Sequence, residues 1–238
     1  MSARQRIDGA SAFLLHAYPY SETSLVLDVF ARDHGRLPIL ARGARRPRSA
    51  LRGVLIGFQL LELGWFGAGE VKTLAKAEWC GGVPLLQGRC LLLGYYLNEL
   101  LLKLLPREDA HAELFDSYTD AVGALANGAA DAPELRRFEK SLLKEIGYGL
   151  TLSTDAAGAA VLPDRQYRYL IERGLIPVEG GGGLTLSGKT LLDMEADDYR
   201  DPCTLAESKL LMRQLVAQQL GDKPLQSRRV FVDLQELQ

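Results

Sequence analysis

The sequence predicts an α+β protein, a small β-barrel followed by helices, and three observations carry that prediction. Five short apolar runs fall within the first eighty residues, parted by turn residues. Near Gly81-Gly82 the period changes, and Leu93, Leu97, Leu100, Leu101 and Leu104 recur at helical spacing. Farther on, Asp131 stands three residues before Glu134, ahead of an apolar stripe at Leu135, Phe138, Leu142 and Ile146. That pairing is the signature of a capped helix start.

Residues 12–17, 24–31 and 36–41 read as the first three strands, broken at Pro19-Tyr20-Ser21 and at Asp33-His34-Gly35. Residues 42–52 contain Gly43 and Pro47 and read as a loop or short helix. Residues 54–63 and 69–79 supply two further strands, and five strands in this span match an OB-fold barrel. A helix through the leucines ends at Pro106, a second is expected over 108–125, and the capped third stops at Gly147 and Gly149. A last helix is expected from the Thr204-Leu-Ala-Glu207 box to Gly221, and Val230–Val232 in the tail reads as strand-like. The expected organisation is therefore a barrel domain over 1–80, a helical domain over 81–149 and 204–221, a small mixed module over 150–203, and a tail over 222–238.

Composition narrows the class. The chain has 238 residues, 47% hydrophobic and 24% charged, within the range of globular proteins. The leucine-rich stretch is interrupted by Arg89, Glu99 and Lys103, so no membrane span is expected, and the N-terminus lacks the apolar run of a secretory signal. Three irregularly spaced cysteines (Cys80, Cys90, Cys203) offer neither a disulfide framework nor a C-x-x-C zinc pair, which fits a reducing cytoplasm. His16, His34 and His111 stand apart from one another, and no catalytic constellation emerges.

Charge is unevenly placed. The net charge is −2, yet residues 1–60 hold nine arginines against four acids. Arg36, Arg42, Arg45, Arg46, Arg48 and Arg52 crowd into a stretch without any acid from His34 to Leu61. Such a run can be a plain solvated loop. The lack of acids and the flanking strands favour a phosphate-binding surface, since guanidinium groups stay charged and grip phosphate bidentately. Tyr18, Tyr20 and Trp65, beside turns, are the aromatics expected to be exposed for base stacking.

Two weaker signals need weighing. Residues 183–190 satisfy the phosphate-loop spacing G-x-x-x-x-G-K-[ST], with Lys189 and Thr190 in the functional positions. A run of four glycines, residues 180–183, leads into the motif in place of a buried strand, and Leu184 and Leu186 alternate as in a strand, so nucleotide hydrolysis is the lesser alternative. On the third helix Arg136, Lys140 and Lys144 recur every four residues, with Arg137 beside them. A basic face bordering leucines suits an acidic peptide with an apolar tip, although a solvated side of a core helix has the same pattern.

Taken in order, several short motifs resemble the RecO family of bacterial recombination mediators. They are Tyr20-Ser-Glu-Thr-Ser-Leu-Val-Leu-Asp28, His34-Gly35-Arg36, Ala41-Arg-Gly-Ala-Arg-Arg46, Gly69-Glu-Val-Lys-Thr-Leu74, Leu135-Arg-Arg-Phe-Glu139, Gly147-Tyr-Gly149 and Lys223-Pro-Leu-Gln-Ser-Arg228. The resemblance implies an OB-fold, a helical domain and a small module that in some members holds zinc on four cysteines. Here the cysteine pairs are missing, so the module is expected without zinc. It implies a non-enzymatic protein of the cytoplasm and nucleoid, without cofactor. Such a protein binds single- and double-stranded DNA, anneals complementary strands and, with RecR, helps RecA replace the single-stranded-DNA-binding protein SSB. On this basis Arg36, Arg42, Arg45, Arg46, Arg48 and Arg52 become expected DNA contacts. Arg136 and Arg137 become expected contacts for the acidic SSB tail, and Lys140 and Lys144 extend that face by helical spacing.

Overall fold

The structure is a computed structural model and describes residues 6–129, 133–178, 183–227 and 229–230. It divides into two compact units: residues 1–130 with 225–238, and residues 131–224. This division falls elsewhere than the composition suggested, because the first two long helices share a unit with the barrel and the third does not.

In the first unit, β1 (Arg6–Pro19), β2 (Leu25–Ala31), β3 (Gly35–Ala41), β4 (Leu60–Phe66) and β5 (Lys72–Trp79) close into a barrel of order β1-β2-β3-β5-β4. All neighbours are antiparallel except β3 and β5. Alternation aims one face of every strand inward: Ala12 and Leu14, Leu27 and Val29, Leu37 and Ile39, Leu61 and Leu63 form a closed core. A bulge between Leu14 and His16 shifts the phase of β1, so Ala17 faces the core and His16 faces out. The expected fourth strand began too early. Leu51–Val54 is a short helix, α1, whose Leu51 and Val54 pack against the end of the barrel core. The β2–β3 turn needs Gly35 at φ +65, where a side chain would also collide with the Asp109 backbone.

Two helices follow, α2 (Gly88–Leu104) and α3 (Ala112–Ala126). The second starts four residues later than expected, since Glu108 has φ +57 and its N–H bonds the Arg36 carbonyl. Outward residues Phe13 and Phe30 of the barrel meet Phe115 of α3 at ring distances of 5.3 and 5.4 Å. Asn98, buried on α2, donates to the Leu15 carbonyl at 2.9 Å and accepts from the Tyr118 hydroxyl. Glu99 of α2 receives the returning chain: its carboxylate accepts from the Gln226 N–H at 2.8 Å, and from the Ser227 N–H at 2.9 Å and hydroxyl at 2.7 Å. Val230, expected in a strand, is helical, and residues 231 and 232 lie outside the described residues.

In the second unit, α4 (Pro133–Glu145), β6 (Gln166–Leu170), β7 (Gly174–Pro177), β8 (Leu186–Ser187), α5 (Gly188–Glu195) and α6 (Pro202–Leu220) enclose a core built on Leu143, Tyr167, Leu175, Leu186, Leu191 and Leu211. The three strands form one sheet of order β7-β6-β8. The expected cap Asp131 lies outside the described residues. The last helix starts before its expected box: Asp201 caps it through the Cys203 N–H at 2.8 Å, with Pro202 in the first turn. The box residues serve elsewhere, Thr204 donating to Asp193 and Glu207 accepting from Ser187. Among the described residues, no group of three or more His, Cys, Asp or Glu could hold a metal ion, and no helix is long and apolar enough to cross a membrane.

Candidate nucleic-acid interface

Residues 42–50 leave β3 at one end of the barrel, and α1 closes that end. The loop is pinned by Arg45, whose N–H bonds the Thr23 carbonyl at 2.9 Å and whose guanidinium bonds the Ser21 carbonyl at 2.7 Å. This lays the arginine loop against the β1–β2 turn, beside exposed Tyr18 and Tyr20. Arg42, Arg45, Arg46, Arg48 and Arg52 are all exposed, and none meets an acid among the described residues. Charge of one sign gathered on one rim raises the local potential towards a polyanion.

Arg36 is the exception. Its side chain is only 13% exposed, pairs with Asp28 at 3.2 Å and donates to the Leu105 carbonyl at 3.1 Å. Burial pushes the Asp28 carboxyl above its ordinary range, against the pull of Arg36 and Arg107. The Arg36 guanidinium is therefore engaged inside the protein on two sides, and Arg36 belongs to the scaffold. Trp65 is a second correction. It faces the barrel core at 3% exposure, whereas Trp79 at the end of β5 is 57% exposed.

The basic face of α4 is likewise divided. Leu135, Phe138, Leu142 and Leu143 are buried, which orients the helix. Arg136 bonds Glu139 at 2.8 Å, and those side chains are only 12% and 1% exposed. Lys140 donates to the Met194 carbonyl and the Asp197 carboxylate, both at 2.7 Å. Arg137 is 40% exposed; it bonds Glu134 and the Asp197 carbonyl and lies 5.6 Å from the Tyr199 ring centroid. Lys144 is exposed. The four residues thus do not present one unengaged cationic stripe.

Comparison with known proteins follows the chain along its length. The family model described as recombination protein O N terminal matches residues 9–83, and that described as recombination protein O C terminal matches residues 87–229. The chain belongs to the RecO family of DNA repair proteins. Two similar relatives are the DNA repair protein RecO of Dechloromonas aromatica (strain RCB), 53% identical, and that of Aromatoleum aromaticum (strain DSM 19018 / LMG 30748 / EbN1), 55% identical. In both cases the match covers 100% of this chain and 100% of the relative.

In this RecO-family chain the phosphate-loop spacing is a structural coincidence. Leu186 and Ser187 are strand β8, where a phosphate would need an open loop. The start of α5 is already capped: the Ser187 hydroxyl accepts from the Thr190 N–H at 3.1 Å, and Glu207 accepts from Ser187. Lys189 is held by Asp193 and Asp201, which raise its affinity for its proton. Three carboxylates around the helix start repel an anion. Gly188 is required here because a Cβ would strike the Leu162 carbonyl, which explains the glycine without any ligand.

Proposed function

We propose that this RecO-family protein is a non-enzymatic mediator of DNA repair and homologous recombination. It binds single- and double-stranded DNA, anneals complementary strands and, with RecR, promotes loading of RecA onto DNA coated by SSB, working in the cytoplasm at the nucleoid. The observation that carries the reading is the set of exposed arginines at one barrel end, without an acid partner among the described residues. Phosphate neutralisation by such groups releases counterions and is largely indifferent to sequence, which suits a protein that must accept any strand. In annealing, the same charges offset repulsion between two backbones. The sheet β6–β8 with α5 is read as the counterpart, without zinc, of the small module found in the family. Acidic SSB-tail recognition is assigned to α4 through Arg137 and Lys144, its two more exposed cations.

The test is a DNA-binding titration over salt with Arg42, Arg46 and Arg48 replaced by alanine, leaving Arg45 to hold the loop. Affinity should fall, and the slope of log K against log salt should flatten by about 0.7 to 0.9 for each phosphate that is no longer neutralised. An unchanged slope would remove this loop as the DNA site.

A further inference from the structure

We propose that Trp79 is a stacking platform for an unpaired nucleobase, so that this end of the barrel distinguishes single-stranded from duplex DNA. The inference rests on the DNA-binding reading above and adds a base contact to its phosphate contacts. Trp79 pairs with Leu61 across β4 and β5, in the inward phase of the strand, but it stands past the filled part of the barrel and is 57% exposed. Its one polar atom is already satisfied: the indole N–H donates to the Gln59 side-chain oxygen at 3.1 Å. Gln59 is itself 3% exposed and held from its other end by the Val83 carbonyl at 3.1 Å. Gly82 lets the chain pass there, since a Cβ would lie 2.7 Å from the same Gln59 oxygen. The indole is thus fixed through its edge by a buried side chain while its bulk meets water. A rigid, exposed, apolar ring is what a base requires for stacking.

Its surroundings select the occupant. Helix α1, which carries exposed Arg52, packs against β5, and the arginine loop leads into α1 at the same barrel end. The adjacent acid Glu78 points to the other face of β5 and is paired with Lys76 at 2.8 Å. An apolar ring beside unpaired arginines fits a polyanion with flat apolar faces, which describes a single strand. A duplex keeps its bases stacked on each other and offers only its backbone.

The chain has two tryptophans, and Trp65 is buried, so fluorescence separates them. Binding of a dT oligonucleotide and of a blunt duplex to the full chain should be measured at one salt concentration for the wild type, Trp79→Ala, Trp79→Phe and Trp65→Phe. Trp79→Ala should weaken the single strand about 5- to 150-fold, the range for loss of one stacked base, with duplex binding unchanged. Trp79→Phe should recover part of that affinity. Oligonucleotide quenching should persist in Trp65→Phe and vanish in Trp79→Phe. Unchanged single-strand affinity in Trp79→Ala, or equal weakening for strand and duplex in a variant with wild-type Tm, would overturn the proposal. So would quenching that responds to a protein partner and not to DNA. If the arginine triple variant loses DNA binding while Trp79→Ala does not, the platform fails and the DNA reading stands. If the wild type binds neither DNA form, both fail.

Discussion

Arg36 shows why an arginine's neighbours decide its role. Its sequence context matches that of Arg42 to Arg52, yet its strand places it opposite Phe30 and beside Asp28, under the segment that follows α2. Truncating one member of a buried ion pair leaves the other charged and desolvated. Arg36→Ala should therefore cost roughly 3 kcal/mol of stability, the lower end for such losses because Arg107 remains 3.7 Å from Asp28. Chemical denaturation would show the destabilisation. The salt slope of DNA binding, measured where the variant stays folded, should not change. A flattened slope with normal stability would return Arg36 to the interface. Trp65 and Trp79 make the same point for aromatics. Both lie on strands, and only the depth of the core at each end of the barrel separates a buried ring from an exposed one.

At the scale of elements, the barrel was legible because its strands alternate and its turns carry Gly, Pro, Ser and Asp residues in the right places. Four of its five strands fall where the apolar runs stand, and the helices α2 and α4 follow the leucine and phenylalanine spacing. What could not be read was set by contacts distant in sequence. Residues 54–57 look strand-like, but Val54 is drawn into α1 to close the barrel. Thr204 and Glu207 look like a capping box, but Asp193 and Ser187 claim them. Helical spacing groups Arg136, Arg137, Lys140 and Lys144 on one face of α4, yet it could not show that Glu139 engages Arg136 and that Asp197 engages Arg137 and Lys140. A distinction follows for this helix. Arg137→Ala should weaken binding of an acidic SSB-tail peptide with little change in Tm, while Arg136→Ala should lower Tm because it removes a cation hydrogen-bonded to buried Glu139. Equal peptide affinity in wild type and Arg137→Ala, measured by fluorescence anisotropy, would take the tail off this face.

For the molecule as a whole, the first unit is discontinuous: its closing residues come after the entire second unit. The closure is chemical as well as topological. Burial pushes the Glu99 carboxyl up, but hydrogen bonds from Ser227 and Gln226, with Lys103 at 2.9 Å, outweigh it and leave the carboxyl below its ordinary value of 4.5. A carboxyl lowered in the folded state contributes stability that is complete above about pH 4.5 and is lost as pH falls through the folded value. Thermal unfolding followed from pH 6 downward should show this destabilisation in the wild type and a shallower one in Glu99→Gln. Parallel curves for the two proteins would show that Glu99 does not hold the returning chain.

The Glu99 contact also sets an order of events during synthesis. Glu99 precedes Gln226 by 127 residues. At translation rates of about 5–20 residues per second, the carboxylate waits roughly 6 to 25 seconds for its partners to be made. A barrel can collapse in far less time than that. A nascent chain therefore carries a formed barrel with an incomplete seam on α2, and the last turn of the unit is sealed only after the second unit has been synthesised. Ribosome-stalled chains ending before residue 225 should accordingly present Glu99 to solvent on an otherwise native barrel.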